Sequence, residues 1–134
     1  MTWSSDGTAR LWRSDGAELA RMGHDRIIWG AAFSADESRI LTWSSDGTAR
    51  LWRSDGAELA RMGHDRIIWG AAFSADESRI LTWSSDGTAR LWRSDGAELA
   101  RMGHDRIIWG AAFSADESRI LTWSSDGTAR LWRS

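Results

Sequence analysis

The 134 residues contain no cysteine, no proline and no lysine. Without cysteine there can be no disulfide, no thiolate metal site and no thiol nucleophile. The lack of proline is unusual in a chain this rich in turn signals, and Asp-Gly pairs stand where turns are expected. No signal peptide, lipidation motif or long apolar run occurs, so nothing directs export or membrane insertion. A soluble protein in the cytoplasm is the expectation. Every one of the seventeen basic residues is arginine, and they are interspersed with nineteen acidic ones for a net charge of −2. That balance argues against a nucleic-acid partner, which calls for a basic surface. Arginine pairs with carboxylates through a fork and stacks on indole rings, which suits a chain with eleven tryptophans.

What the chain does have is a repeat. Residues 2–41, 42–81 and 82–121 are identical, and 122–134 begins a fourth copy that stops after thirteen residues. The chain is thus about 3.3 repeats of 40 residues in a single array, 1–134. Met1 stands where Leu41, Leu81 and Leu121 stand. Tandem copies drift apart when each mutates independently, so identity implies very recent duplication or deliberate construction. Construction is the expectation. A period of 40 also changes how length is read, because such arrays are counted in repeats rather than in domains.

Each copy divides into four short extended segments. Residues 27–34 (IIWGAAFS) form an apolar run expected of a strand buried on both faces. After a polar turn at 34–38, residues 39–45 (RILTWSS) suit a pleated surface. Asp46-Gly47 reads as a two-residue hairpin, since glycine accepts the positive φ such turns need. Residues 48–54 (TARLWRS) alternate Ala49 and Leu51 against Thr48, Arg50 and Trp52. A second Asp-Gly, at 55–56, leads into 58–62 (ELARM). These residues favour helix, but a segment this short between two glycines cannot sustain one. It is read as an outer edge strand. The fold class is therefore all-β, with four-stranded antiparallel blades.

Three motifs in sequence are similar to those of the WD-repeat β-propeller family. Gly23-His24 stands at its Gly-His position. Phe33-Ser34-Ala35-Asp36 resembles its Phe-Ser-Pro-Asp turn, and the stretch from Ser44 to Trp52 resembles its Ser-x-Asp-x-Thr-hydrophobic-Lys-Leu-Trp segment. Arg53 replaces the Asp that names the family, and Trp43 stands where a smaller residue is usual. The resemblance implies a buried hydrogen-bond tetrad in each blade. Here it would be carried by His24, Ser44, Asp46 and Trp52, by His64, Ser84, Asp86 and Trp92, and by His104, Ser124, Asp126 and Trp132. Trp12, with Ser4 and Asp6, has no histidine before it.

Ser, His and Asp in one unit also invite a hydrolase reading. A nucleophilic serine needs exposure beside an oxyanion hole, and the tetrad would lock it beneath a tryptophan. No enzyme activity, metal or cofactor is expected. Asp36 and Glu37, adjacent acids in a turn, are read as solvated. Trp29, Trp43, Trp69, Trp83, Trp109 and Trp123 are open to two readings, as ligand-facing rings that stack on a sugar or as blade-to-blade packing.

Three repeats are too few to close a propeller, which needs about four blades or more. Strands b-c-d, two full sets a-b-c-d, then a-b-c would leave open faces and edges that associate or aggregate. The expected partner is the chain itself. A nine-bladed trimer ranks first, then an eight-bladed or a six-bladed dimer. The expected function is that of a structural, self-assembling scaffold with no evolved catalysis. The alternative is a binding module for peptides or proteins, or a tryptophan-based carbohydrate binder.

Overall fold

A computed structural model of the chain describes residues 1–133; Ser134, the last residue of the partial fourth repeat, lies outside them. The described residues form four antiparallel sheets in succession and no helix. The first has three strands, β1 (Thr2–Trp3), β2 (Thr8–Trp12) and β3 (Glu18–Gly23). The second has β4 (Ile28–Phe33), β5 (Arg39–Ser44), β6 (Thr48–Arg53) and β7 (Glu58–Gly63). The third repeats this pattern as β8 (Ile68–Phe73), β9 (Arg79–Ser84), β10 (Thr88–Arg93) and β11 (Glu98–Gly103). The last has β12 (Ile108–Phe113), β13 (Arg119–Ser124) and β14 (Ala129–Arg133). Each strand pairs with its sequence neighbour, so every sheet is a meander. The strand order is b-c-d, a-b-c-d twice, then a-b-c. The first strands converge, β4 meeting β8 and β8 meeting β12, so the sheets radiate from them like blades.

The ELARM segment is a strand in all three copies. Its burial alternates with period two: Ala60 and Met62 are buried, while Glu58, Leu59 and Arg61 are exposed. A helix would take Ala60 and Met62 to different sides, so packing overrides propensity. The Asp-Gly turn differs from the two-residue hairpin expected. Ser45, Asp46 and Gly47 form a three-residue loop, with the Gly47 N–H donating to the Ser44 carbonyl at 3.3 Å. Gly47 alone takes a positive φ, 84°. Asp46 stays out of that region because its carboxylate turns back to accept the Thr48 N–H at 2.8 Å.

Every sheet has two unlike faces, because side chains alternate across a strand. One face of the second sheet carries Leu41, Ala49, Leu51, Ala60 and Met62. It packs on Ile68, Ala71, Ile80 and Trp92 of the third sheet. The third packs on the fourth in the same way, through Leu81, Ala89, Leu91 and Met102 against Ile108, Ala111 and Ile120. Ala9 and Met22 of the first sheet meet Ile28, Ile40 and Trp52. The apolar core therefore lies between sheets and not within any one of them.

Within this packing, the Trp83 ring lies flat on the backbone of Gly70. A Cβ added there would stand 2.2 Å from Trp83 Cζ2. At the turns, Glu77 reaches back to the preceding sheet, where its carboxylate accepts the Ala35 N–H at 2.9 Å. Arg39 donates to the Glu77 carbonyl at 3.3 Å and lies 5.8 Å over the Phe73 ring. Glu117, Ala75, Arg79 and Phe113 repeat the arrangement one sheet on. The turn acids are thus more than solvated. Asp36 is also engaged, accepting the Ser34 and Ser38 hydroxyls and the Ser38 N–H. Those bonds, led by the Ser38 hydroxyl, lower its pKa to about 2.

The Gly70 contact makes a contrast available. Gly70→Ala is expected to lower unfolding stability by about 1–3 kcal/mol, the usual cost of overpacking. Gly63→Ala, with nothing within 4 Å of a new Cβ, is expected to change it by less than about 0.5 kcal/mol. Urea unfolding of the two variants measures both; equal effects would remove the Trp83 seat as the cause.

Candidate functional site

Four polar side chains meet where the loop after one sheet crosses the next. His24 lies beyond β3, and its side chain is fully buried against the second sheet. Its Nδ1 is 3.0 Å from Asp46 Oδ2 and its Nε2 is 2.6 Å from Thr42 Oγ1. Trp52 Nε1 donates to the same Thr42 oxygen at 2.9 Å. An indole can only donate and a carboxylate can only accept, which fixes the direction of the chain. The Trp52 N–H donates to Thr42, the Thr42 hydroxyl donates to His24 Nε2, and the His24 Nδ1–H donates to Asp46. The set recurs with His64, Thr82, Asp86 and Trp92, and with His104, Thr122, Asp126 and Trp132.

The hydroxyl in this network is not the expected one. Ser44 lies outside it, donating to the Ile27 carbonyl at 2.7 Å and accepting the Asp46 N–H at 3.1 Å. Ser84 and Ser124 do the same one and two repeats on. Thr42 and Ser44 share a face of β5, two residues apart, so alternation alone cannot choose between them. The register decides. Trp52 lies opposite Ile40, and its indole reaches the diagonal neighbour Thr42, whereas Ser44 at the strand end falls to the turn.

Two further members escaped the sequence reading. Arg50 is buried, donating to the Gly23 carbonyl at 2.9 Å and to Asp46 at 3.2 Å. Thr48 donates to Asp46 Oδ1 at 2.6 Å. The signal was present, since Thr48 and Arg50 alternate onto the same face as Trp52. Burial pushes the Asp46 carboxyl up, but the Thr48 hydroxyl and N–H, the Asp25 N–H and His24 outweigh it, and the net shift is downward. Burial lowers the pKa of His24 and of His64, with the neighbouring aspartate opposing the shift. Both imidazoles are therefore neutral at pH 7, in keeping with the hydrogen-bond direction.

In the first sheet Trp12 Nε1 still finds Thr2 Oγ1 at 2.8 Å. Without a histidine there, Thr2, Ser4, Asp6, Thr8, Arg10 and Trp12 line an open concavity. The Asp6 side chain is 53% exposed, against 6% for Asp46.

This arrangement is structural in chemistry. Ser44, the residue a hydrolase reading needs, makes its bonds to backbone, and each hydroxyl of the network is committed on both sides. Among the described residues no three His, Asp or Glu side chains gather as metal ligands. The six tryptophans left open separate into two groups. Trp43 and Trp83 are half-buried in the packing between sheets, over Gly30 and Gly70. Trp123 takes the same seat over Gly110, with its outer side open. Trp29 and Trp109 are exposed, and Trp69 lies 5.7 Å from Trp29 in a tilted contact. The apolar run is therefore open on its tryptophan side in the second and fourth sheets, while in the third sheet no residue of β8 is exposed.

The model of the WD domain, G-beta repeat, matches residues 16–53, 56–93 and 96–133. The chain belongs to the WD-repeat family. No curated protein matches it. Among solved structures it is similar to the crystal structure of the computationally designed Ika4 protein, with a TM-score of 0.84 and 25% identity over 98% of this chain and 82% of that one. In this WD-repeat chain each matched segment spans strand d of one sheet and strands a, b and c of the next. The family unit therefore straddles two blades, joined through the His24 network or its copies.

Two outcomes follow from the geometry. Thr82→Val leaves Trp92 Nε1 and His64 Nε2 unpartnered, and a cost of about 1–3 kcal/mol is expected on chemical unfolding; Ser45→Ala, on an exposed loop hydroxyl, should change stability by less than about 0.5 kcal/mol. For pH, the unfolded histidines bind protons below their ordinary value of 6.5, while the folded, neutral ones resist. Stability is therefore fully present above about pH 6.5 and falls as pH drops below it. Thermal unfolding from pH 8 to 5 should show that decline, and a melting temperature that stays flat or rises would contradict it.

Proposed function

We propose that the 134-residue chain acts as a structural, self-assembling scaffold that closes into a ring of blades with other copies of itself. The observation that carries this reading is the contrast between identical residues. Leu121 and Leu131 are 42% and 59% exposed, whereas Leu41 and Leu51 are 0% and 1% exposed beneath the next sheet. The repeat itself defines what covers such a face, namely another copy of the same repeat. The proposed source of that copy is a second molecule of the same chain. Three chains in a nine-bladed ring rank first, with eight- and six-bladed dimers as the alternatives.

Identity of the three repeats and likeness to a designed protein support an engineered origin. They also favour a scaffold over an evolved binding face, which needs different residues on different blades. No catalysis is proposed, because the candidate hydroxyls, imidazoles and carboxylates are spent on one another. A second reading, a binding module for peptides, proteins or sugars, is favoured by the exposed Trp29 and Trp109 rings. A glycan or peptide array that retains the protein once per repeat would support it.

Native mass spectrometry at micromolar concentration tests the main reading. The expected species is about 45 kDa, three times the 15.0 kDa chain, with about 30 kDa for a dimer. A compact single-chain mass would overturn it.

A further inference from the structure

The turns between the first and second strands of each blade carry vacancies that match across two copies. In the interior, Glu77 of one sheet accepts the Ala35 N–H of the sheet before it, and Arg39 covers Phe73. At the last sheet, the corresponding Ala115 and Arg119 are exposed and line an open concavity with Ser114, Asp116 and Ser118. At the second sheet, Glu37 and Phe33 are the matching halves, and both are exposed. Glu37 holds a positive φ of 62°, as Glu77 and Glu117 do. That conformation is unfavourable for a residue with a Cβ. In the interior copies the same conformation presents the carboxylate to the preceding turn.

Building on the self-assembly reading, we infer that ring closure is a strand exchange. The last sheet of one copy takes the place of the β1–β2 hairpin of the next, pairs its β14 with that copy's β3, and is latched by Glu37 to Ala115 and by Arg119 over Phe33. The latch sets the geometry. In both copies that form the contact, glutamate reaches the sheet immediately before its own, so the sheet holding Ala115 must precede the sheet holding Glu37. That position belongs to the first, three-stranded sheet. The two incomplete sheets therefore occupy one blade, with strands a, b and c from one chain and d from the other. If the three-stranded sheets stacked side by side, as in an eight-bladed dimer, Glu37 and Ala115 would be separated by a blade. The exchange thus selects three blades per chain and rings that are multiples of three.

Composite assembly leaves one b–c hairpin surplus, and the N-terminal one is the worse held. β1 has two residues where β13 has six. It lacks the counterpart of Ile120, which is fully buried. Its network has no histidine, whereas Thr122, Asp126 and Trp132 are engaged with His104. Residues 8–12 and 128–132 are identical, so β14 can adopt on β3 the register that β2 now holds, with Ala129 opposite Met22 and Leu131 opposite Ala20, as Ala9 and Leu11 are. Residues 2–14 therefore act as a placeholder that covers β3 until a second copy replaces them.

The exchange is tested in the full chain with three variants, reading the dissociation midpoint by dilution and native mass. Trp12→Ala is expected to leave assembly within about twofold of the parent or to strengthen it, because its hairpin is expelled. Trp132→Ala, the same substitution in the other copy, should weaken assembly at least about a hundredfold, in line with the cost of truncating a tryptophan that packs on the third sheet and donates to Thr122. Glu37→Ala should weaken it about fivefold to tenfold, the scale of one charge-assisted hydrogen bond. A single chain gives Glu37 no turn to latch, so its loss should not change monomer stability. Equal weakening by Trp12→Ala and Trp132→Ala, or no effect of Glu37→Ala on an assembling parent, would overturn the exchange. A parent that stays at one chain would instead overturn the self-assembly reading on which it rests.

Discussion

Each sheet in this chain presents a leucine face and a tryptophan face, and neither loses its water except against the other. Leu41, Leu51 and Met62 are sealed by Ile68, Ile80 and Trp92 of the following sheet. A three- or four-stranded antiparallel sheet of this size has no interior of its own. The apolar burial that stabilises the fold therefore belongs to pairs of sheets. The polar network follows the same rule. His24 comes from the loop that leaves one sheet, and Thr42, Asp46 and Trp52 belong to the next, so the hydrogen bonds fix the crossing between blades while the apolar faces supply the burial.

The two kinds of contact differ in what they specify. Apolar faces tolerate sliding, but the chain from Trp52 through Thr42 and His24 to Asp46 has a single satisfying arrangement. Arg50 adds a buried ion pair to Asp46 and ties it to the Gly23 carbonyl. Near the axis, Trp83 on Gly70 sets how closely the first two strands approach. At the other end of those strands, Glu77 clips consecutive turns together. Identical repeats can reproduce one angle between blades because these three devices recur unchanged at every step.

Much of this was legible in the sequence, and the exceptions have physical causes. The period of 40, the four strands and the b-c-d to a-b-c order follow from turn residues and alternation, including the strand at 58–63 that composition alone would make helical. Thr42 was missed in favour of Ser44 because both lie on one face, and only the pairing of Ile40 with Trp52 separates them. Arg50 was placed on the same face as Trp52 by alternation but was not recognised as a partner of Asp46. Asp36 and Glu37 looked merely solvated because the partner of a turn glutamate lies in another blade, which local spacing does not reveal. Trp43 and Trp29 could not be told apart by type; the glycine opposite Trp43, at position 30, was the available clue.

The central claim is that stability resides in the contacts between blades, the open faces included. Thermal unfolding followed over a hundredfold range of protein concentration tests it most directly. If the end faces are sealed by other copies, folding is linked to association and the melting temperature rises with concentration. A melting temperature independent of concentration, with a single cooperative transition, would show that the 134-residue chain is stable with those faces open and would contradict the account.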